Sequence, residues 1–496
     1  ASKEKMEWVY VNRLTLCIIT FFVSVFLFAQ LHKVEINYIY TDPTTEFDLV
    51  GSMNDKQKRK AMEITESDNQ YLDFYRGNTE VQQKDIEKIM KNGRINKDYV
   101  EATNEEVATA AKRVLDKLHT VNKENLQIAL TNTLEDFPIF KSVLKKGLFW
   151  YYLEESNIKA SVIEEKNSPC EKLNTPLLFE VSYFQNKINL EVYHALSDGA
   201  GCITFFENLI YNYLKIKHHL QENVIITKSS SYEKEIDSFS KYYNPKNKVK
   251  IAKKDNAYQL KGKWYPEGKL RIITGSTSTQ KLKNIAHQYN TTITGLLISL
   301  TIKSMEDILS IKEKEKPISV TVPIDLRKYF KSETVRNFFN VTNITYKFTQ
   351  KNTPLEEIVT QVNEQLKNSL KEEAIENNMT KLIWLENFFL IRLIPLFIKN
   401  KVLKYSYKLT RKKQTLGLSN VGVFHLPKNC QNYIEKCLVM NSTDALEICI
   451  ISYEDEICIS FSSHYINSEL EKNFFRLLKK YNLDITIYNN EIEGSD

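Results

Sequence analysis

Residues 176–217 contain the pattern that most restricts the fold of this chain, because two strands there run directly into a helix. In 187–193 apolar side chains alternate with polar ones, which is typical of a strand with one buried face. His194 ends this strand, and Asp198 with Gly199 then breaks it. The residues that follow repeat apolar positions at helical spacing. Strand pairs that adjoin helices predict an α+β fold rather than an all-helical or all-β one.

Length and composition limit the architecture and the partners. A chain of 496 residues exceeds one hydrophobic core and predicts two or three domains. With 42% hydrophobic and 11% aromatic residues it can bury large cores. The 68 basic and 62 acidic side chains are interspersed and leave a net charge of only +6. This balance argues against nucleic acid as a partner.

The cysteines and histidines give no metal-binding pattern. Seven cysteines are scattered without a CxxC pair, and eight histidines show no HExxH motif. We therefore predict reduced thiols, no disulfide framework and no metal site. With 13 glycines in the whole chain, no glycine-rich phosphate loop is visible either.

Residues 14–31 form an uncharged apolar run that is just long enough to span a bilayer as a helix. Trp8 and Tyr10 before it, and Tyr38 and Tyr40 after it, suit the two membrane interfaces. A buried strand or core helix and a cleaved signal peptide are the alternatives. The flanking cations favour an external location for the rest of the chain, whereas its cysteines favour the cytoplasm. We predict a membrane-associated protein whose larger part lies on the cytoplasmic side.

Changes in composition and in the apolar pattern divide the chain into segments. The predicted organisation is a membrane anchor with its flank (1–53), a polar helical segment (54–120), a first lobe with its crossover (121–265) and a second lobe (266–496). Mixed strands and helices in both lobes predict two sandwiches with a cleft between them. An apolar run with basic flanks at 386–405 contains Arg392 and Lys399, which favours a buried or surface-lying helix over a spanning one.

The strand-to-helix junction carries the candidate chemistry. Alternation places His194 on the inward side of its strand, and an imidazole can take a proton from a hydroxyl or amine that attacks a carbonyl. Asp198 can cap the following helix or bind a buried cation, and Gly199 permits the turn. No serine or cysteine nucleophile is needed if the acyl donor is an activated thioester. An ordinary junction that happens to contain a histidine is the alternative.

His194, Asp198 and Gly199 form an HxxxDG motif that resembles the CoA-dependent acyltransferase superfamily, with its chloramphenicol acetyltransferase-like fold. Two later segments, "VTVPIDLRKYF…RNFFN" and "TLGLSNVGVF", add to the likeness in the expected order. The resemblance covers about residues 122–490 and is greatest to the bacterial alcohol acetyltransferase-like branch. It implies two lobes of mixed sheets with flanking helices around a cleft.

The resemblance also implies roles for individual residues. His194 is the general base, Asp198 pairs with an arginine, and Gly199 allows the turn. Ser419 or Asn420 lies near the oxyanion of the tetrahedral intermediate, and the strand around Asn420–Gly422 borders the pantetheine channel. Arg327 and Asn337 are structural. Acetyl-CoA or another acyl-CoA is the co-substrate, no cofactor is permanently bound, and the acceptor is a small alcohol or amine.

Two departures from the family pattern stand out. The family begins with a strand, often carrying the arginine that pairs with the motif aspartate, whereas helical residues 105–125 occupy that position here. Arg327 or Arg113 is then the candidate partner of Asp198. The second departure is the apolar run at 14–31, since acyl-CoA is cytosolic. Residues 1–120 resemble Flp-pilus or type II secretion inner-membrane proteins.

Two other functions remain open. One is a membrane-anchored scaffold with a degenerate acyltransferase fold and no activity. The other is a condensation-like domain that uses carrier-bound thioesters, although Tyr193 stands where such domains commonly have a second histidine. Homo-oligomers are possible in each case.

Overall fold

The computed structural model describes most of the chain from residue 121 onward and one earlier strand. The described residues are 33–40, 121–165, 173, 175–220, 230–243, 255–266, 269–387, 393–442 and 446–490. The predicted membrane helix at 14–31, the polar segment at 54–120 and Arg113 lie outside them. Within the described ranges, every helix is too short or too polar to cross a bilayer.

The described elements alternate between strands and helices. The strands are β1 (Lys33–Tyr40), β2 (Ser142–Lys146), β3 (Tyr151–Glu155), β4 (Val162–Glu164), β5 (Phe179–Phe184), β6 (Lys187–Tyr193), β7 (Arg271–Ser278), β8 (Ile318–Asp325), β9 (Phe339–Tyr346), β10 (Leu416–Val423), β11 (Lys436–Cys437), β12 (Met440–Asn441), β13 (Leu446–Tyr453), β14 (Glu456–Ser463) and β15 (Thr486–Asn489). The α-helices are α1 (Lys123–Asp136), α2 (Gly199–Lys217), α3 (Ser231–Glu235), α4 (Ser238–Tyr242), α5 (Thr279–Gln288), α6 (Ile293–Ser304), α7 (Leu355–Ser369), α8 (Glu372–Asn387), α9 (Leu396–Arg411), α10 (Lys428–Gln431) and α11 (Glu469–Lys479).

The first sheet has the strand order β11-β1-β6-β5-β4, with β12 also paired to β1. β5 and β6 form the antiparallel hairpin that the alternating sequence predicts, with Gln185 at a positive φ of 49° in its turn. Helices α1 and α2 pack against each other on this lobe. Their buried aromatic side chains include Phe205, which stacks on Phe140 with ring centroids 3.9 Å apart.

The second sheet has seven strands in the order β15-β7-β14-β13-β10-β8-β9. β10 lies inside the sheet and is parallel to both neighbours, β8 and β13, whereas the remaining pairs are antiparallel. The hairpin β13–β14 is buried along almost its whole length, as its apolar sequence predicts. Helices α6 and α11 cover the sheet through Phe474 and its apolar neighbours.

The two sheets share chain segments. After β10 the chain returns to the first lobe, where Phe424 and Cys437 join the core beneath α2. β11 and β12 then complete the first sheet by pairing with β1. The candidate site therefore lies where strands of the second half of the sequence reach the helix that follows the HxxxDG motif.

The prediction that the opening strand is replaced is wrong. β1 precedes the first described helix and pairs antiparallel with β6 along its length, with a register shift between Asn37 and Ile39. Residues 33–40 read "KVEINYIY", and this alternation of period two is a strand signal. The sequence does not identify this strand by itself, because Tyr38 and Tyr40 follow the apolar run at 14–31 and also suit the interface of a membrane helix.

Several boundaries also differ from those that the sequence pattern suggests. α6 ends at Ser304, although the apolar pattern continues to Leu309; Met305 and Leu309 are nevertheless buried in the turns that follow. The apolar run at 386–405 is divided between α8 and α9, and Pro395 immediately precedes α9.

Candidate active site

His194 lies directly after β6, one residue beyond the strand's last ladder position. The inward side chains before it, Ile188, Leu190 and Val192, are buried, and the His194 side chain is 8% exposed. Its ring centroid is 5.6 Å from that of Phe339 at the start of β9. The first sheet thus presents His194 to a strand of the second sheet.

The Asp198 carboxylate holds the loop after His194 to the second lobe. Asp198 Oδ1 accepts from the Gly201 N–H at 2.9 Å and so caps α2. Asp198 Oδ2 accepts from the Phe338 N–H at 2.6 Å. Arg327 donates to both carboxylate oxygens, with three nitrogen–oxygen distances of 3.0 Å. Of the two arginines proposed as partners, the structure places Arg327 against Asp198.

Arg327 also organises the segment that leads into β9. Its Nε donates to the Thr334 carbonyl at 2.7 Å, and Nη2 donates to the Arg336 carbonyl at 2.6 Å. A further bond runs from Nη1 to Asp325 Oδ1 at 2.9 Å. Burial acts to lower the pKa of the Arg327 guanidinium, but the Asp198 and Asp325 carboxylates outweigh burial, so the net shift is upward. The guanidinium stays charged and joins three segments of chain.

Asn337 fixes the backbone of the candidate base. Its Nδ2 donates to the His194 carbonyl oxygen at 2.7 Å, and the Asn337 side chain is buried. Asn337 and Arg327 both belong to the predicted "PIDLRKYF…RNFFN" segment. This segment therefore contacts the HxxxDG loop at two points, the carbonyl of His194 and the carboxylate of Asp198.

Sequence reasoning missed one further contact in this loop. The Ser197 hydroxyl is fully buried and donates to the Val335 carbonyl at 2.5 Å. Gly201 lies under the same carbonyl; a methyl group at Gly201 would be 2.1 Å from the Val335 oxygen. The close approach at Gly201 is thus to the chain itself. A short side chain just before α2 and a glycine in its first turn were the available signal.

This close packing predicts that Gly201→Ala strongly destabilises the fold. A methyl group there would also lie 2.4 Å from Ser197 Oγ, and neither neighbour can move without breaking a buried bond. We expect a loss of about 2–3 kcal/mol or more in the free energy of unfolding, measured by denaturant titration. Gly199→Ala is the matched control, because its methyl would meet only Val421 Cγ1 at 3.0 Å. Equal stability of the two variants would contradict this packing.

The predicted SNxG segment forms a wall next to the motif. Ser419, Asn420 and Gly422 lie in β10, whose pairing with β13 shifts register between Asn420 and Gly422. Gly422 has a positive φ of 99°, a conformation that favours glycine. Val421, between them, approaches Gly199 at the start of α2. The structure therefore brings the SNxG segment against the HxxxDG motif.

The Asn420 amide is engaged within this wall. Its Nδ2 donates to Thr294 Oγ1 at 3.0 Å, and its Oδ1 accepts from the Gly422 N–H at 3.0 Å. Ser419 pairs with Cys449, whose side chain joins the core beneath α2, so Ser419 lies on that side of the sheet. Asn420 pairs with Ile450 of the second lobe's core and points to the start of α6. Of the two oxyanion candidates, Ser419 is the one on the side of the HxxxDG loop.

A buried carboxyl group connects α2 to the end of β10. Glu207 Oε1 accepts from the His425 N–H at 2.6 Å, and the Glu207 side chain is 8% exposed. Burial raises the pKa of Glu207 to about 7, although the bond from His425 acts in the opposite direction. Near neutral pH, this contact between the helix and the strand therefore holds a carboxyl group that is partly protonated.

The raised pKa of Glu207 predicts a pH-dependent stability. Its folded pKa of about 7 exceeds the ordinary glutamate value of 4.5, so the native state binds the proton more tightly. The resulting stabilisation is complete below pH 4.5 and is lost as the pH rises through 7. We expect wild type to lose about 3 kcal/mol between pH 4.5 and 8 relative to Glu207→Gln, from denaturant titrations at each pH. Parallel pH profiles for the two proteins would show that Glu207 is not the group responsible.

The described residues contain no group of three or more His, Cys, Asp or Glu side chains arranged to hold a metal ion. The cysteines in the described ranges are free and buried. One of them, Cys202, lies in the first turn of α2, and burial raises the pKa of its thiol.

No protein-family model matches the chain, and no curated protein matches it. Among solved structures, it is similar to polyketide synthase associated protein 5 from Mycobacterium tuberculosis (12% identity, 73% of this chain and 91% of that one, TM-score 0.48). It is also similar to trichothecene 15-O-acetyltransferase from Fusarium sporotrichioides (12%, 72% and 85%, TM-score 0.48). A third is the epimerization domain from the third module of tyrocidine synthetase B (12%, 73% and 89%, TM-score 0.44).

By their names, these structures include an acetyltransferase and a domain of tyrocidine synthetase B. At 12% identity and TM-scores under 0.5, we base no functional conclusion on the likeness. The mixed α/β architecture follows from the sheets themselves. The alcohol acetyltransferase-like branch and the resemblance of residues 1–120 to secretion proteins stay predictions.

Proposed function

We propose that the chain is an acyltransferase that moves an acyl group from acyl-CoA to an alcohol or amine, with His194 as the general base. The observation that carries the proposal is the ion pair between Asp198 and Arg327. It joins the loop after His194 to the second half of the chain, where Asn337 also holds the His194 carbonyl. A loop fixed from both lobes keeps an imidazole in one position, as proton transfer in a transition state requires.

The proposed reaction is a direct transfer. His194 accepts the proton from the acceptor hydroxyl or amine as that oxygen or nitrogen attacks the thioester carbonyl carbon. The tetrahedral intermediate then collapses, the carbon–sulfur bond breaks, and the leaving thiolate takes the proton from the imidazolium. The products are an ester or amide and free CoA, and the histidine returns to its starting state.

The neighbours of His194 support direct transfer over an acyl-enzyme route. Ser197 is fully buried, and its hydroxyl donates a hydrogen bond to the Val335 carbonyl. Cys202 is buried with a raised thiol pKa, which disfavours the reactive thiolate. Neither of these two potential nucleophiles, in the loop and in the first turn of α2, is therefore available to form a covalent intermediate.

Ser419 is our candidate for stabilising the oxyanion. It is half-buried on the face of β10 that lies toward the core beneath α2. A hydroxyl on that face can donate to an oxygen that gains charge in the transition state. We assign Asn420 a structural role because its amide bridges β10 to Thr294. Around these residues, the end of β10 would border the pantetheine arm of the acyl-CoA.

The intact pairing of Asp198 with Arg327 weighs against a degenerate, inactive scaffold, because the arginine partner that the family pattern expects is present. Since acyl-CoA is a cytosolic metabolite, the proposal also requires this part of the chain to face the cytoplasm.

The proposal is tested by following CoA release with a thiol-trapping reagent. Purified full-length protein is mixed with acetyl-, butyryl- and palmitoyl-CoA, and a panel of alcohols and amines is added to each. We expect acceptor-dependent release without a burst of CoA before the acceptor is added, since no acyl-enzyme forms. Release only from carrier-protein thioesters would favour the condensation-like alternative, and no turnover of any thioester would favour the scaffold.

A further inference from the structure

Helix α9 presents an outer face that the rest of the described chain does not cover. Leu396, Leu403 and Ser406 on its inner face are buried, as are Lys399 and Thr410. The outer face exposes Phe397 at 63% and Tyr405 at 64% of their surfaces. Its other exposed apolar side chains are Ile398 and Val402, with Leu393 just before the helix. Single exposed apolar side chains are normal on a protein surface, but five of them close together form a contiguous apolar patch, which is typical of an interaction site.

The same face is strongly basic. Exposed Lys401, Lys404, Lys408 and Lys412 lie beside Phe397 and Tyr405 at spacings of three or four residues, which place them on one side of the helix. Residues 393–413 contain no aspartate or glutamate. The outer face therefore combines an apolar stripe with a stripe of cations.

The tip of the β2–β3 hairpin contacts the start of α9. The Leu148 carbonyl accepts from the Leu396 N–H at 2.9 Å. Lys399 Nζ donates to the Phe149 carbonyl at 3.0 Å and lies 3.3 Å from the centre of a Trp150 ring. These contacts set Leu148, which is 71% exposed, beside the start of the helix. We call the outer face of α9 together with Leu393 and Leu148 the α9 surface.

We propose that the α9 surface docks on the interface of a bilayer that contains anionic phospholipids. A helix that lies in an interface buries aliphatic and aromatic side chains at the headgroup boundary and directs lysines to the phosphates. Lysines near an anionic membrane are attracted to it electrostatically, so four of them together give substantial binding. A second copy of this chain is a poorer occupant, because two such basic faces would repel each other. Nucleic acid is also a poorer occupant, because the exposed aliphatic side chains would find no partner on it.

The test is flotation of the full-length protein with vesicles of phosphatidylcholine, with and without one third phosphatidylserine. We expect binding to the anionic vesicles, weakened by 0.5 M salt. The variant K401E/K404E/K408E should lose about a hundredfold or more in affinity. The variant F397S/I398S/V402S should also lose binding, since it removes the apolar stripe.

Two matched controls separate this surface from general charge and hydrophobicity. K283E/K479E/K480E makes the same charge change at exposed lysines of α5 and α11, and Ile311→Ser removes an isolated apolar side chain that is 78% exposed. Both should bind as wild type does, and all variants should keep the wild-type melting temperature because the substituted positions are exposed.

Three results would overturn the proposal. The first is equal binding of wild type to neutral and anionic vesicles, undiminished in the α9 variants, as expected if the apolar run at 14–31 supplies all the binding. The second is absence of vesicle binding, and the third is a dimer that the α9 variants convert to monomers. None of these readings involves acyl transfer, so the proposal stands or falls separately from the proposed enzyme activity.

Discussion

His194→Ala is expected to lower acyl-CoA turnover by about a hundred- to ten-thousandfold, the usual range for loss of a general base. The imidazole is the group proposed to take the acceptor proton, and the described loop contains no second group placed to replace it. The fold should persist, because the contacts that fix this loop are made by the His194 backbone and by Asp198. The measurement is the initial rate of CoA release, together with thermal unfolding of both proteins.

The control is His287→Ala, which removes an exposed histidine on α5. It should release CoA at the wild-type rate. The pH profile provides a second readout, because the limb that reports titration of the base should disappear in His194→Ala and persist in His287→Ala. A His194→Ala rate within twofold of wild type would falsify the assignment of the base.

The local part of this site could be predicted from the sequence, because it depends on neighbouring residues. Alternation in 187–193 locates the strand that ends at His194, and an aspartate immediately before a helical pattern predicts the cap that Asp198 makes. The turn at Gln185 likewise follows from two alternating runs separated by two residues. Such signals need no knowledge of how distant segments meet.

The long-range part could not be settled in the same way. Arg327 lies 129 positions beyond Asp198, and only the folding of the second half decides whether it or Arg113 pairs with the aspartate. The side of the sheet on which Ser419 and Asn420 lie depends on how β10 pairs with β13, and no local pattern determines that pairing. β1 was missed for a different reason: an alternating strand that adjoins an apolar run can also be interpreted as the flank of a membrane helix.

Arg327→Met is expected to destabilise the protein by about 3–5 kcal/mol, the cost of leaving a buried carboxylate without its partner. Asp198 is 4% exposed, and after the substitution only the N–H groups of Gly201 and Phe338 would still donate to it. The carbonyls of Thr334 and Arg336 would also lose their donor. The measurement is the free energy of unfolding from denaturant titration.

Stability alone does not separate a positioning role from a purely structural one, and a second buried ion pair supplies the comparison. Arg271 pairs with Glu471 at 2.7 Å, with side chains that are 8% and 2% exposed. β7, which carries Arg271, is three strands from β10 in the second sheet. Arg271→Met should therefore cost a similar free energy while the turnover per folded molecule stays near that of wild type.

In Arg327→Met, by contrast, turnover per folded molecule should fall about a hundredfold, since a shift of about 1 Å in the loop misplaces His194. Asp198→Asn combined with Arg327→Met removes both buried charges, so it should recover part of the lost stability. It should not recover the rate, because the link between the loop and the 334–338 segment is still missing. Equal turnover in the Arg327→Met and Arg271→Met proteins would show that the Asp198–Arg327 pair supports the fold without positioning His194.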